Sequence, residues 1–323
     1  LNNQQNKKSS PNENFAREVM ELFTMGRGNY TEQDVKEAAR AFTGWGFNVQ
    51  GEFVSRPFQH DKGSKTILGK TGNFSGDDVL NILLEQEQTA LHITRKLYRY
   101  LVNEHADEEK VTWLAKRFFN NQYNIGKLLE DIFTSDWFYS EKNIGNRIKS
   151  PVELLAGIRR LLPLQLDNDQ TQLLFQKVLG QVLFFPPNVA GWPGGRSWID
   201  SSTLMVRLQI PQALVAKEPV SIRAKSDDDV NMGQMMEEQI RIKKNKAIVS
   251  KGGSASIDWA PVVKIFETTK REELPSKITS TILQTKSRIE KSVIEKYASS
   301  ESREEFIKSW IIRLMSTPEY QLC

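Results

Sequence analysis

The sequence predicts a mainly α-helical fold, a multi-helical bundle-like array with one small β-hairpin near residues 50–69. Helix-start motifs and apolar residues at helical spacing recur along most of the chain. The clearest start is Ser150-Pro151-Val152-Glu153, in which serine caps the helix, proline suits its first turn and glutamate reaches back to the cap. No segment of 20–50 residues repeats, so the sequence excludes a solenoid.

Three further motifs predict helix starts in the first eighty residues. Ser10-Pro11-Asn12-Glu13 has the same design, and Thr31–Asp34 and Ser75–Asp78 place an acid near the positive end of the helix dipole. Gly26 and Gly44 are predicted to end the first two helices. Later helices are predicted at 75–86, 89–103, 108–121, 124–135, 151–162, 169–184, 199–216, 258–269, 276–298 and 302–316.

The first helix is predicted to have an apolar face and a polar face. Its apolar stripe consists of Phe15, Val19, Leu22 and Phe23. On the polar face, Arg17 and Glu21 are four residues apart and are predicted to pair. The helix at 89–103 carries a basic stripe opposite its apolar side, and we expect this stripe to pack against the acidic face of the first helix. The stripe consists of His92, Arg95, Lys96 and Arg99.

Changes in composition divide the chain into three predicted parts. Residues 1–216 form a main helical body, and within it the alternation near Phe53 and the turn at Lys62-Gly63 predict the hairpin. Residues 217–257 are polar and glycine-containing, which predicts an insertion or mobile hairpin. Residues 258–323 are predicted to form a C-terminal helical subdomain.

Charge and composition exclude several classes of partner. Lys and Arg number 44 and Asp and Glu 40, so the net charge of +4 does not predict nucleic-acid binding. No apolar run approaches the length of about 18 residues that a membrane span needs. Cys323 is the one cysteine, which excludes an intrachain disulfide. Because no glycine motif matches a phosphate-binding loop, no cofactor is predicted.

The polar faces of the first two helices, together with the His60-Asp61 pair, form the main candidate site. The candidate catalytic residues are Glu18, Glu21, His60 and Asp61. The binding candidates beside them are Arg17, Arg40 and Lys65. If the hairpin folds back over the helices, such a cluster can bind a divalent cation or supply a general acid–base pair. The alternative is that these ion pairs only fix the geometry of the helices.

Two further segments contain weaker candidates. The proline- and glycine-rich loop at 185–198 offers Trp192, Arg196 and Trp198 for sugar or peptide binding, or else the two tryptophans fill the core. No transition-metal motif is present, so no metal is predicted. A weak hard-cation candidate has the spacing of an EF-hand loop, but Met232 stands where that loop needs glycine. Its four residues are Asp227, Asp229, Asn231 and Glu238.

The sequence resembles a known family over nearly its whole length. The run PNENFAREVMELFTMGRGNYTEQDVKEAARAFTGW (Pro11–Trp45) is similar to the opening signature of the DUF1800 family of large bacterial proteins, whose function is unknown. Four later stretches agree with that family in the right order: His60–Gly69, Ile93–Val102, Phe184–Leu204 and Ser316–Leu322.

The resemblance implies a compartment and a context, and it implies no reaction. Family members usually have another hundred or more residues before the PNENFARE motif, so we expect this chain to be the C-terminal portion of a longer bacterial protein. Many members look exported, which implies a periplasmic, outer-surface or secreted location. Their genes often lie beside a gene for a second secreted protein. The expected partner is therefore that protein or the missing N-terminal part of the same chain.

These observations lead to two functional hypotheses. The first is a cell-envelope or secreted protein that serves as a binding or assembly component, because catalytic motifs are absent and the helical surface is large. The alternative is a hydrolase that acts on glycan or peptide substrates through the Glu/His/Asp cluster. The sequence does not decide whether the protein is an enzyme.

Overall fold

The computed structural model of the protein describes residues 1–166, 170–216 and 255–323. The chain divides into two compact units, Leu1–Asn143 and Ile144–Cys323, and each has its own apolar core. The domain boundaries predicted at 216 and 257 both fall within the second unit. The predicted insertion at 217–257 lies almost wholly outside the described residues and stays a prediction.

The first unit, all of whose residues are described, is mainly helical, as the sequence predicts. Its α-helices are α1 (Glu13–Glu18), α2 (Glu32–Ala41), α3 (Gly76–Leu84), α4 (Glu87–Leu101), α5 (Glu108–Asn120) and α6 (Ile125–Phe133). The helix starts predicted at Thr31 and Ser75 are both confirmed, and each forms a capping box. In each, the cap hydroxyl accepts an N–H from an aspartate whose carboxylate accepts the N–H of the cap residue.

The first helix begins two residues later than predicted. Its N-cap is Asn12, whose side chain accepts the N–H of Asn14 at 3.0 Å. The predicted cap, Ser10, instead donates its N–H to the carbonyl of Lys7 and so belongs to a turn before the helix. The side chain of Asn6 accepts the N–H of Asn12 at 2.8 Å and holds this entry in place.

A π-helical turn at Val19–Thr24 follows α1 directly and changes which residues are buried. The N–H of Met25 donates to the carbonyl of Met20, five residues back, rather than to the carbonyl four back as in an α-helix. The wider turn rotates the following residues, so Phe23 is exposed. The prediction that Phe23 belongs to the buried stripe was therefore wrong, because α-helical spacing ends at Val19.

Two short hairpins connect α2 to α3, where the sequence predicts one near residues 50–69. Strand β1 (Trp45–Phe47) pairs antiparallel with β2 (Phe53–Ser55), and β3 (Lys65–Ile67) pairs with β4 (Lys70–Gly72). The β3–β4 turn consists of Leu68 and Gly69, which both have positive φ angles, as a two-residue type I′ turn requires. Small hairpins in a mainly helical fold are therefore confirmed.

Two apolar clusters make up the core of the first unit. One lies among α1, the π-helical turn, α2, β3 and α3, and the other lies among α4, α5 and α6. Phe42, at the end of α2, lies 5.0 Å from the Phe15 ring and 5.2 Å from the Trp45 ring, measured between centroids. These edge-to-face contacts attach the first hairpin to the helices that carry the main candidate site.

The second unit is also helical within its described residues. Its helices are α7 (Pro151–Leu161), α8 (Gln170–Val178), α9 (Ser201–Ala216), α10 (Ala260–Lys264), α11 (Leu274–Ile282), α12 (Lys291–Lys296) and α13 (Arg303–Met315). The capping box predicted at Ser150 is confirmed. Strand β5 (Leu164–Leu166) pairs antiparallel with β6 (Ala255–Ile257), so residues on both sides of 217–254 share one sheet.

Helix α13 supplies the largest fully buried side chain of the second unit, Trp310. It contacts α9, α10, α11 and α12, and their apolar side chains form one core with those of α7 and α8. None of the described helices is both long enough and apolar enough to span a lipid bilayer.

The single helix predicted at 276–298 is two helices, α11 and α12, and that prediction was wrong. Between them, the N–H of Arg288 donates to the carboxylate of Glu319 at 3.0 Å. The hydroxyl of Ser287 accepts the N–H of Ile289 at 3.2 Å. These side-chain partners take backbone groups that a continuous helix would use, so the helical pattern is interrupted there.

Candidate functional site

Three charged side chains of the first unit, Arg40, Asp61 and Glu37, meet where α2 ends and the second hairpin begins. Arg40 donates from Nε to Oδ2 of Asp61 at 2.8 Å and from Nη1 to Oε2 of Glu37 at 2.7 Å. A second contact joins Arg40 Nη2 to Asp61 Oδ1 at 3.3 Å. The paired guanidinium group lowers the pKa of Asp61 to about 2. Asp61 is therefore ionised, with its charge compensated by Arg40.

Thr43 fixes the backbone of the His60-Asp61 pair. Its hydroxyl accepts the N–H of Asp61 at 2.8 Å and donates to the carbonyl of Arg40 at 2.5 Å. Its carbonyl oxygen lies 3.1 Å from Nδ1 of His60. Since a carbonyl oxygen only accepts hydrogen bonds, Nδ1 is the protonated nitrogen in this contact. The imidazole is thus held in one orientation by a backbone group.

Lys65 is buried beneath the same loop, with 1% of its surface exposed. Its ammonium group donates to the carbonyl oxygens of Asp61 at 2.6 Å and Gly63 at 2.9 Å. Burial lowers the pKa of Lys65, because desolvation disfavours its charged form. The side chain holds the loop in shape and faces away from solvent.

Residues of this loop line an open cleft of about 440 Å³. It is lined by Lys8, Pro57, Phe58, His60, Asp61 and Lys62. Two of the four candidate catalytic residues, His60 and Asp61, therefore reach the same solvent-accessible space.

The other two candidate catalytic residues have different surroundings. Glu21 accepts a hydrogen bond from the Tyr30 hydroxyl at 2.8 Å, and no hydrogen bond or ion pair within the described residues joins Glu18 or Glu21 to His60 or Asp61. Burial and then the bond to Glu21 raise the pKa of Tyr30 to about 12.

The four-residue spacing predicts that Arg17 pairs with Glu21, and this prediction was wrong. Arg17 forms two hydrogen bonds to the carboxylate of Glu32, at 2.7 and 2.6 Å. The π-helical turn begins at Val19, between Arg17 and Glu21, and removes the α-helical spacing on which the prediction depends.

The basic stripe of α4 packs against the π-helical turn. Lys96 donates to the carbonyl of Leu22 at 3.1 Å, whereas Arg95 pairs with Glu108 on α5. Lys96 therefore meets a backbone carbonyl of this turn rather than the predicted acids.

The loop before α9 contains the tryptophan candidates of the second unit. Trp198 is buried with 8% exposed, and Trp192 is half-buried. Arg196 is exposed beside them. Of the two predicted roles for the tryptophans, Trp198 has the burial that core filling requires.

Two phenylalanines that precede these tryptophans in the chain are exposed to solvent. Phe184 is 96% exposed and Phe185 is 73% exposed, and every residue from 183 to 190 is exposed. Phe184 has a φ of +63°, a left-handed conformation that bulky side chains rarely adopt. We call Leu183–Ala190 the aromatic loop. Leu183 also lines an apolar pocket of about 170 Å³ with Phe175 and other residues of α7 and α8.

A sequence model described as "Protein of unknown function (DUF1800)" matches residues 1–322. The chain belongs to the DUF1800 family. No curated protein and no solved structure matches the sequence significantly.

The DUF1800 fold also buries a cation, Arg207, that is not among the predicted site residues. Arg207 on α9 has no exposed surface and donates from Nη1 to the carbonyl of Lys149 at 3.0 Å. Its Nε and Nη2 atoms have no hydrogen-bond partner within the described part of the chain. Desolvation lowers the pKa of Arg207 to about 10. The sequence around Arg207 contains no motif that predicts a buried cation on α9.

Metal binding by this DUF1800 protein has no candidate ligand set in the described ranges. Within 1–166, 170–216 and 255–323, no group of three or more His, Cys, Asp or Glu side chains is placed to hold an ion. The EF-hand-like residues Asp227, Asp229, Asn231 and Glu238 lie outside the described residues.

Proposed function

We propose that this DUF1800 protein is a binding or assembly component of the bacterial cell envelope or the extracellular space, and that it docks a partner protein through the aromatic loop. The observation that carries the proposal is the solvent exposure of two consecutive aromatic residues, Phe184 and Phe185. Aromatic side chains dominate the binding free energy of protein interfaces, whereas in water they contribute little to stability.

The backbone of the aromatic loop supports the same role. Holding a bulky L-residue such as Phe184 in the left-handed region costs about 1–2 kcal/mol. Strain of this size persists at sites that bind ligands or partners, where the bound state makes use of the geometry. The two residues after Phe185, Pro186 and Pro187, have φ angles fixed by their rings, so the loop loses less conformational entropy on binding.

The composition of the loop defines the chemistry of the partner. The sequence LFFPPNVA contains no charged residue, and the pocket that Leu183 lines is largely apolar. The partner therefore presents an apolar surface with a recess for an aromatic ring. The family resemblance favours a secreted protein encoded near the gene for this chain.

Photo-cross-linking in the native host tests the proposal. A photoreactive phenylalanine analogue replaces Phe185, and the control places it at Lys116, an exposed residue of α5. We expect one secreted or envelope protein to be cross-linked at 185 and not at 116, and to copurify with the full chain. Equal cross-linking at both positions, or a cytoplasmic location of the native protein, would contradict the proposal.

One observation favours the hydrolase alternative: His60 and Asp61 line a common cleft. An acid–base role requires a group free to exchange a proton, and Asp61 is held ionised by Arg40. Turnover of glycan or peptide substrates by the purified chain, lost on His60→Ala, would favour the hydrolase. We expect no turnover.

A further inference from the structure

We propose that the cleft beside His60 and Asp61 binds a short anionic saccharide, a sugar that carries a carboxylate. This site lies in the first unit and is independent of the aromatic loop, which belongs to the second. Its volume of about 440 Å³ lies within the range of about 300–1,000 Å³ that is usual for small-ligand sites.

The charges at the cleft favour an anion. The acids nearest the loop, Asp61 and Glu37, both pair with Arg40. In the part of the chain that the structure describes, no carboxylate lies within ion-pair distance of Lys8 or Lys62. These two exposed ammonium groups therefore give the cleft a positive potential, which is suited to a carboxylate.

Phe58, His60 and Asp61 offer contacts that suit a sugar ring. The Phe58 ring is 73% exposed and lines the cleft, so it offers a flat apolar surface to the C–H face of a pyranose. His60 and the Asp61 carboxylate, on the same lining, are hydrogen-bonding partners for ring hydroxyls. A single organic anion without hydroxyl groups would leave these groups unused.

The loop is held in shape before any ligand arrives. Arg40 binds the Asp61 side chain, Thr43 binds its N–H, and Lys65 binds two carbonyls beneath the loop. The N–H of Gly63 donates to Asp61 Oδ1 at 2.8 Å and completes the turn. Because these contacts restrict the loop, little further ordering is needed on binding.

Titration of the full chain with trigalacturonate, followed by nuclear magnetic resonance, tests this inference. The matched ligand is the trimethyl ester of the same trisaccharide, which lacks the charges but keeps the sugar rings. We expect the ester to bind at least about 10-fold more weakly than the acid, and the acid to bind more weakly as salt is raised. Equal affinity for acid and ester would overturn the proposal.

Variants locate the site and separate it from the aromatic loop. Lys8→Ala/Lys62→Ala should weaken binding about 10-fold or more, and Phe58→Ala several-fold, while Lys116→Ala and Phe184→Ser/Phe185→Ser leave it unchanged. No loss in the Lys8/Lys62 variant, with folding verified by circular dichroism, would overturn the proposal. Equal competition by inorganic phosphate would also overturn it, because the site would then select charge alone.

Discussion

Arg40 binds Asp61 through two N–H groups, across 21 residues of sequence, with the shorter contact at 2.8 Å. This pair attaches the loop between the two hairpins to the end of α2. Glu37 binds the same guanidinium group from the helix side, so three charges form one network. The network gives the cleft its shape, and it also removes the Asp61 carboxylate from the set of free acids.

Asp61→Asn should lower the free energy of unfolding by about 1–2 kcal/mol at pH 7, because it removes a charge-assisted bond that is largely shielded from solvent. The pKa of Asp61 is about 2 in the folded state and about 3.9 in the unfolded state. Its stabilising contribution is therefore full above pH 4 and is lost as the pH falls towards 2. Urea denaturation of both proteins at pH 7, 4 and 3 measures the difference.

The control for this experiment is Glu130→Gln, which changes an exposed carboxylate on α6. We expect it to alter stability by less than about 0.5 kcal/mol. A difference between wild type and Asp61→Asn that stays constant from pH 7 to pH 3 would contradict the role of the ion pair.

Arg207→Met should leave the free energy of unfolding within about 1 kcal/mol of wild type, or raise it. Methionine fills much of the same volume and removes a buried cation, two of whose donors have no partner among the described residues. Arg207→Ala leaves a cavity and should cost about 2–4 kcal/mol. Urea denaturation compares the three proteins. If methionine proves as costly as alanine, the guanidinium group has a stabilising partner that this account lacks.

Phe184→Gly should stabilise the protein by about 1 kcal/mol, because glycine adopts a φ of +63° without strain and the ring makes little contact. Phe185 has no positive φ angle, so Phe185→Gly relieves no backbone strain and serves as the matched control. Thermal and urea denaturation measure both variants. A loss of stability in Phe184→Gly would mean that the ring packs on the fold and is not held out for a partner.

Tyr30→Phe should lower the free energy of unfolding by about 0.5–1.5 kcal/mol, because it removes the bond to Glu21 that anchors the π-helical turn. A double-mutant cycle with Glu21→Gln measures the coupling of the two side chains. We expect the double variant to be less destabilised than the sum of the single variants. Strict additivity would show that the hydroxyl and the carboxylate do not interact.

The parts of the fold that depend on local chemistry could be predicted from the sequence. Ser150 and Glu153 form the predicted capping box, and the helix starts predicted at Thr31 and Ser75 are confirmed, because each cap and its acid lie three residues apart in the chain. Features that depend on tertiary partners could not be predicted. The segment between Ile282 and Lys291 contains a bond from the N–H of Arg288 to Glu319, which is 31 residues away.

The candidate site was predictable to a similar extent. The hairpin region does bring Asp61 and Lys65 to Arg40, as folding back over α2 requires. The π-helical turn carries no periodic signal of its own, so the pairing of Arg17 with Glu21 was predicted wrongly. The roles predicted for these polar residues, in ligand binding, in catalysis or in stabilising the fold, stay predictions.

The aromatic loop shows why exposure is harder to predict than residue type. Phe184 and Phe185 lie in the stretch Phe184–Leu204 that resembles the family, yet the tryptophans after them are the predicted binding residues. The large apolar rings look alike in sequence. Trp198 is buried, however, and Phe184 is exposed. The signal available beforehand was the pair of prolines that follows the two phenylalanines.

The most direct test of the central claim is the dissociation constant between the purified full chain and the protein cross-linked at position 185. Phe184→Ser/Phe185→Ser should weaken this binding about 100-fold or more, as expected for two aromatic side chains at the centre of an interface, while Lys116→Ala leaves it unchanged. A change of less than about 3-fold in the double variant would contradict the claim that the aromatic loop is the docking element.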